Sequence, residues 1–302
     1  MPFLRSRFEA YVLGYGINEQ KISFVEVLKL VSKRQRFVLH CHRNNEMLFA
    51  LLLRFLGGNF LLLFTKHADN IPSFITRFLQ KKADVVVALT KRMTNTISRD
   101  SVVVGHGVNQ NVFFPGQALH LPGIRQKKLI LCAGRVREAK GQRLLVEALA
   151  PLIQNFPDWA LLIVGKVDNP KFLKELQKTV TGNLAGDQVY FVNETNNIVN
   201  YYRAAHTVVV PSYTEGFSLV CAEAMSCGCN VVATDDVGIH SELISNEKTG
   251  YLFEAGNKHQ LQTILTELME GQLAHLGENA RKEIAQNWSA KAEADRLAEL
   301  YR

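Results

Sequence analysis

Short, almost continuous apolar runs recur along the chain, and amphipathic stretches of helical period separate them. In the first part the runs fall at 10–13, 37–40, 60–64, 84–88 and 102–104, with helical stretches at about 23–33, 45–56, 72–81 and 91–98. Further on the runs fall at 129–133, 160–164, 189–192, 207–210, 230–233 and 250–253. Helical stretches lie there at about 141–154, 170–180, 196–204, 219–227 and 257–270, with one or two more before the C-terminus. The runs are rich in β-branched and aromatic residues and do not alternate with polar ones, as in parallel strands covered on both faces. Strand and helix taking turns predict doubly wound α/β architecture, and the pattern occurs twice. Between the two occurrences, residues 109–128 lose the periodicity and gain Pro, Gly and Gln, with Pro115-Gly116 and Pro122-Gly123 as punctuation, which marks a linker.

Composition supports two domains of ordinary size: 302 residues, 47% of them hydrophobic. The apolar run 48–53 stops at Arg54, well short of a membrane span, and the first sixteen residues hold no continuous apolar core, so no signal peptide is expected. Five cysteines, an odd number without a C-x-x-C pair, read as small buried residues of a reducing compartment; Cys227-Gly-Cys229 fits packing around a helix end better than metal binding. The net charge of +7 is uneven. Residues 1–125 hold 17 Lys and Arg against 7 Asp and Glu, and the remainder 18 against 21. A basic first half suits an anionic lipid, a phosphorylated glycan, nucleic acid, or merely solvent. Nucleic acid is disfavoured, because no aromatic–basic repeat is present.

Two stretches carry candidate chemistry. In 211–234, PSYTEGFSLVCAEAMSCGCNVVAT, Ser218 is placed to cap a helix over 219–227 that Gly228 stops, between strands on either side. A strand, a turn and a helix start aim free N–H groups at one point and make an anion seat. Glu215 stands on the loop before the helix and Glu223 within it, so a carboxylate lies on each side of that seat, an arrangement suited to a sugar–diphosphate–nucleoside. A cap loop and a half-exposed helix carboxylate are the structural alternative. The second stretch, GRVREAKG, follows the run 129–133. Arg135 offers a planar fork for phosphate and Lys140 a point charge near a helix start, where cations are otherwise unwelcome. The G-x-G-x-x-G of a dinucleotide site is absent. No D-x-D adjoins an apolar strand, and Asp235-Asp236 lies in a loop, so no metal is expected.

The segment 211–234 resembles the E-x7-E signature of retaining glycosyltransferases of family 4, which have the GT-B fold: two Rossmann-like doubly wound domains facing a cleft. PS-x-x-EGF, the EAM run and VVAT all match, and GRVREAKG resembles the family's GR…KG loop. GRVREAKGQRLLVEAL and NFPDWALLIVG look most like lipopolysaccharide-core mannosyltransferases of bacteria. The resemblance implies that Arg135 and Lys140 hold the donor diphosphate and stabilise it as it leaves, and that Glu215 positions the sugar. It further implies that Gly134, Gly216, Phe217, Ser218, Leu219 and Glu223 bind donor, that His67 touches the donor sugar, and that the nucleobase lies near Val192 and Asn193. His40-Cys41-His42 resembles the H-x-H that ends an earlier family strand. Those two histidines are expected to point to opposite sides, one packing and one facing the cleft. Gly105-His106-Gly107 resembles a P-N-G-V-D turn, with His106 where Asn is usual.

The expected domains are 1–120 on the acceptor side, 121–285 on the donor side and a terminal helix, 286–302, returning to the first. The N-terminal domain is expected to be shortened: the chain enters near the family's second strand, and Gly14-Tyr15-Gly16 does not match the family's Gly-Gly loop. The function expected is a retaining, metal-independent hexosyltransferase with no cofactor beyond its donor, GDP-mannose first and a UDP-hexose next. Its acceptor would be an anionic glycan or glycolipid, at the cytoplasmic face of the inner membrane. A nucleotide-sugar epimerase or hydrolase of the same fold, and a non-catalytic scaffold, are the rival readings.

Overall fold

The computed structural model describes the whole chain except Met1, 15–18, Ser98, 119–120 and the side chain of Pro2. Tyr15 and Gly16, contrasted above with the family's loop, and the end of the 91–98 stretch thus lie outside the described residues. The chain divides into two compact units, Met1–Gly107 with Ala290–Arg302, and Val108–Ser289.

The first unit is built on four parallel strands in sequential order: β1 (Phe37–Cys41), β2 (Phe60–Lys66), β3 (Val85–Ala88) and β4 (Ser101–Val103). Phe37 pairs with Phe60 and Leu63 with Val85. Each crossover carries a helix, as parallel pairing requires. Asn44–Phe55 buries Met47, Ala50 and Leu53, and Phe74–Lys82 buries Leu79. Ser23 caps Phe24–Ser32 in a full capping box with Glu26. The last helix, Ala290–Leu300, belongs to this unit, with Ala294 and Leu297 packed among Leu4, Leu63, Val87 and Val104.

The second unit has six parallel strands, β5 (Lys128–Ala133), β6 (Trp159–Val164), β7 (Val189–Val192), β8 (Thr207–Val210), β9 (Asn230–Thr234) and β10 (Tyr251–Phe253). Their spatial order is β10-β9-β8-β5-β6-β7. β6, β8 and β9 are buried along their whole length, as the unbroken apolar runs require. Among the described residues of 109–128 there is no helix or named strand before β5, and this stretch packs on the unit at residues 113 and 114. Ser226 donates to the Phe113 carbonyl at 2.7 Å, and the Arg203 guanidinium lies 4.3 Å from the Phe114 ring centre.

Three expected elements change. Residues 10–13 add no strand to the sheet; Val12 makes only a bridge with Lys21, and Tyr11 is exposed, so the run lacks the apolar face that would hold it there. The 91–98 stretch yields a helix only over Lys91–Thr94, followed by a turn whose Thr96 hydroxyl bonds the Met93 carbonyl. The 141–154 helix ends at Leu149 and resumes as a short 3-10 turn at Ile153–Asn155, because Pro151 cannot supply the next N–H.

Candidate active site

Topology fixes the place. From β5 the chain runs outward through β6 and β7, then returns to lay β8, β9 and β10 on the other side. β5 and β8 are therefore neighbours whose connections leave in opposite directions. Open α/β sheets bind ligands in the crevice at the carboxyl ends of such a strand pair. The loop 134–141 leaves β5 and the loop 211–218 leaves β8. They are stitched together: the Tyr213 N–H donates to the Ala139 carbonyl at 3.0 Å. Gly141 has φ +69°, and a Cβ there would lie 1.8 Å from the Pro211 carbonyl oxygen, so only glycine fits.

Across this seam stands an ion pair. Lys140 Nζ donates to both oxygens of Glu215, at 2.7 and 2.8 Å, and the Ser212 hydroxyl donates to Oε1 at 2.7 Å. Their side chains are only 18% and 9% exposed. The carboxylate offsets the burial of a cation placed beside the start of helix Gln142–Leu149. A carboxylate has roughly four acceptor sites. Three donors leave room for a ligand hydroxyl.

Arg135 differs. It is 64% exposed, and Asp168 Oδ2 lies 3.8 Å away, with Arg137 3.9 Å from the same oxygen. Its fork is held loosely enough to turn to an anion. Gly134 anchors the loop start through its N–H to the Val164 carbonyl, 2.9 Å.

Helix Leu219–Ser226 begins beside the seam, and its first amides have no acceptor within the helix. Ser218 stands at the N-cap, but its side chain makes no cap bond, contrary to expectation; the residue is left-handed, φ +79°. Its hydroxyl instead lies 2.8 Å from His240 Nε2, while His240 Nδ1 lies 2.9 Å from the Thr234 carbonyl. A carbonyl only accepts, so Nδ1 carries the proton and Nε2 accepts from Ser218. The histidine is fully buried and its pKa is lowered, mainly by desolvation, which keeps it neutral. Phe217 is buried with its ring 5.7 Å from Trp288, Gly216 joins it to Glu215, and Leu219 is exposed at the helix start.

Glu223 is not paired with Glu215. It accepts from the Tyr202 hydroxyl at 3.0 Å, and burial raises its pKa to about 7. Val192 ends β7, at the edge of the sheet, where its carbonyl takes the Gly165 N–H at 3.0 Å; Asn193 follows, exposed. The structure thus ties Lys140 to Glu215 and shows no contact of Glu223, Val192 or Asn193 with either. Sequence reasoning missed Ser212, Tyr202 and His240. Ser212 alone had a local signal, three residues before Glu215 in PS-x-x-E; the other two reach their partners across the fold.

In the first unit, His67 follows β2 and belongs to a histidine cluster. His67 Nε2 lies 2.9 Å from His42 Nδ1, and the His67 and His106 rings are 5.6 Å apart. The His40 and His42 rings stack at 4.6 Å. The expectation that those two point to opposite sides was wrong, because strand side chains alternate and positions i and i+2 share a face. His40 packs between Tyr301 Oη and Thr65 Oγ1, at 2.7 and 2.6 Å. Burial and the neighbouring histidines push His40 down to about 3 and His67 to about 4, so both are neutral at pH 7. His42 and His67 also line an open cavity of about 290 Å³ with Thr65, Lys66 and Asn70.

A parallel sheet with its charged loops at the topological switch point defines a nucleotide-binding α/β protein, and comparison with known proteins gives the family. The model of "Glycosyl transferases group 1" matches residues 122–283. The lipopolysaccharide core biosynthesis mannosyltransferase LpcC of Rhizobium leguminosarum bv. viciae is 31% identical over 99% of this chain and 88% of its own length. LpsB of Rhizobium meliloti (strain 1021), described in the same words, is 32% identical over 96% and 87%. Sucrose-phosphate synthase from Thermosynechococcus elongatus superposes with a TM-score of 0.74 at 26% identity, covering 92% of this chain and 76% of that one. The chain belongs to the group 1 glycosyl transferases, family 4: it is a retaining hexosyltransferase of the GT-B fold, with a smaller N-terminal sheet, that uses a nucleotide-sugar donor.

Proposed function

We propose that the chain transfers mannose from GDP-mannose to an anionic surface glycan of the lipopolysaccharide-core type, with the donor on the second unit and the acceptor on the first. The observation that carries the site assignment is the Lys140–Glu215 pair on the two loops of the β5/β8 switch point, beside the start of helix Leu219–Ser226. As the hexose leaves, the nucleoside diphosphate gains negative charge. Lys140, Arg135 and the amides near 217–219 stabilise that charge as it develops. Glu215 holds Lys140 in place and takes a sugar hydroxyl on its remaining acceptor site. Glu223, one helix turn and more along, serves the nucleoside side. With these cations and amides to neutralise the diphosphate, the reaction needs no metal. The reaction runs by front-side attack, with the departing phosphate accepting the acceptor's proton, so a double-displacement carboxylate pair is not required.

The printed names of the two rhizobial relatives support mannose and the core acceptor. The basic first half supports an anionic acceptor at the cytoplasmic face of the inner membrane, where the chain would sit peripherally. Among the described residues no helix is long and apolar enough to cross a membrane. The test is transfer from GDP-mannose, UDP-glucose and UDP-galactose to purified core oligosaccharide, with the anomeric configuration read by NMR. Mannosyl product of the donor's configuration, formed equally in EDTA, is expected. Preference for a UDP-hexose, hydrolysis without transfer, or loss of activity in EDTA would each contradict the reading.

A further inference from the structure

Three neighbouring helices of the first unit turn apolar side chains to solvent. Asn44–Phe55 is joined to Phe74–Lys82 by the Asn44 amide donating to Thr76 Oγ1 at 2.9 Å, and to Phe24–Ser32 by an edge-on contact of Phe24 with Phe49 at 5.4 Å. Phe74 and Phe78, at i and i+4, form an exposed stripe with Ile75 beside them, and Ile71 is exposed on the loop just before the helix; Phe74 is 78% exposed, and Leu79 and Gln80 face the core. The next helix does the same. Leu48, Leu52 and Phe55 share one stripe, Phe55 is 88% exposed, and Met47, Ala50 and Leu53 are buried on the other side. Both helices therefore have a core face and a second apolar face that no described residue covers.

Charge decides what covers that face. By helical period Lys81 and Lys82 flank the Phe74/Phe78 stripe on its two sides, and Arg77 adds a third cation. The sequence around these helices is basic as a whole, with 17 Lys and Arg against 7 Asp and Glu in residues 1–125. A second copy of this chain, docked by two-fold symmetry, would set these cations against their own counterparts. A bilayer with anionic headgroups answers both features: aromatic rings enter the boundary between headgroups and acyl chains, and phosphates take the lysines. We propose that this three-helix face is the membrane-docking surface of the chain, and that it binds by inserting Phe55, Phe74 and Phe78, with the flanking lysines reading anionic lipid. The proposal sharpens the peripheral placement put forward above and is independent of donor and acceptor.

The experiment is cosedimentation of the full chain with phosphatidylcholine vesicles with and without phosphatidylglycerol. The wild type should bind the anionic vesicles more tightly. Phe55→Ser/Phe74→Ser/Phe78→Ser should weaken binding roughly a hundredfold or more even at low salt. Lys81→Ser/Lys82→Ser should weaken it roughly tenfold and reduce its salt dependence. All these positions are exposed, and unchanged far-UV circular dichroism will show that the variants fold. Wild type failing to bind anionic vesicles, the triple variant binding like wild type, or a wild-type dimer that the triple variant dissolves would each overturn the proposal. Transfer to lipid-free core oligosaccharide is measured in parallel. Its absence with vesicle binding intact would remove the functional reading alone; intact transfer without vesicle binding would remove this one alone.

Discussion

Glu223→Gln makes a quantitative prediction. Burial holds the Glu223 carboxyl at about 7, against 4.5 for the free group, because its neighbours supply one hydrogen bond, from Tyr202, and no cation. Below pH 4.5 the group is protonated in folded and unfolded chains alike, and it costs nothing. Between pH 4.5 and 7 the unfolded chain releases the proton while the folded one keeps it, so stability falls as pH rises; above 7 the loss is complete. A separation of about 2.5 pKa units at about 1.4 kcal/mol each gives about 3 kcal/mol. Glutamine keeps an acceptor for the Tyr202 hydroxyl and never ionises. The variant should match wild type near pH 4.5 to 5 and exceed it by about 3 kcal/mol at pH 8. Urea unfolding followed by tryptophan fluorescence reads the right unit, since both tryptophans, Trp159 and Trp288, belong to the second. His40 and His67, held below their ordinary values, act in the opposite sense, losing stability as pH falls below 6.5, but they are common to both proteins and cancel in the difference. A stability difference that does not change with pH, or a variant less stable at pH 8, would refute the buried-acid account.

Three more outcomes follow from the seam between the loops. Gly141→Ala drives a Cβ into the Pro211 carbonyl, and should cost about 3 kcal/mol in the same unfolding assay while weakening GDP binding, because it parts the loops that carry Lys140 and Glu215. Glu215→Gln should lower transfer roughly a hundredfold or more and leave GDP affinity within a few fold; full activity would count against its role. Ser218→Ala leaves His240 Nε2 without its buried donor and should cost about 1 to 2 kcal/mol, measured by urea titration.

Much of the fold was legible because buried parallel strands leave an unbroken apolar signature: β5, β6, β8 and β9 lie within a residue of their runs. Where a run was marginal, context decided otherwise. Residues 10–13 are apolar enough for a strand but expose Tyr11 and, among the described residues, find only Lys21 as a bridge partner. The helix stop at Gly228 was legible too, and it adopts positive φ there; the positive φ of Gly141 at the loop crossing was not, since it was read only as the start of a helical stretch. What the sequence hid was partnership. Nothing near Ser218 announces His240, twenty-two residues on, and the tyrosine on Glu223 sits on the helix before β8. Lys140 and Glu215 were read as separate ligand contacts, although seventy-five residues apart they form one half-buried pair. Such contacts follow from strand order, which periodicity does not encode.

The central claim, that the β5/β8 switch point of the second unit holds the donor's diphosphate on protein cations, is tested most directly by calorimetry of GDP and guanosine, in EDTA, with wild type, Arg135→Ala and Lys140→Ala. The account predicts that each variant binds GDP roughly ten- to a hundredfold more weakly while guanosine affinity is unchanged. GDP affinity equal to wild type in both variants would contradict it.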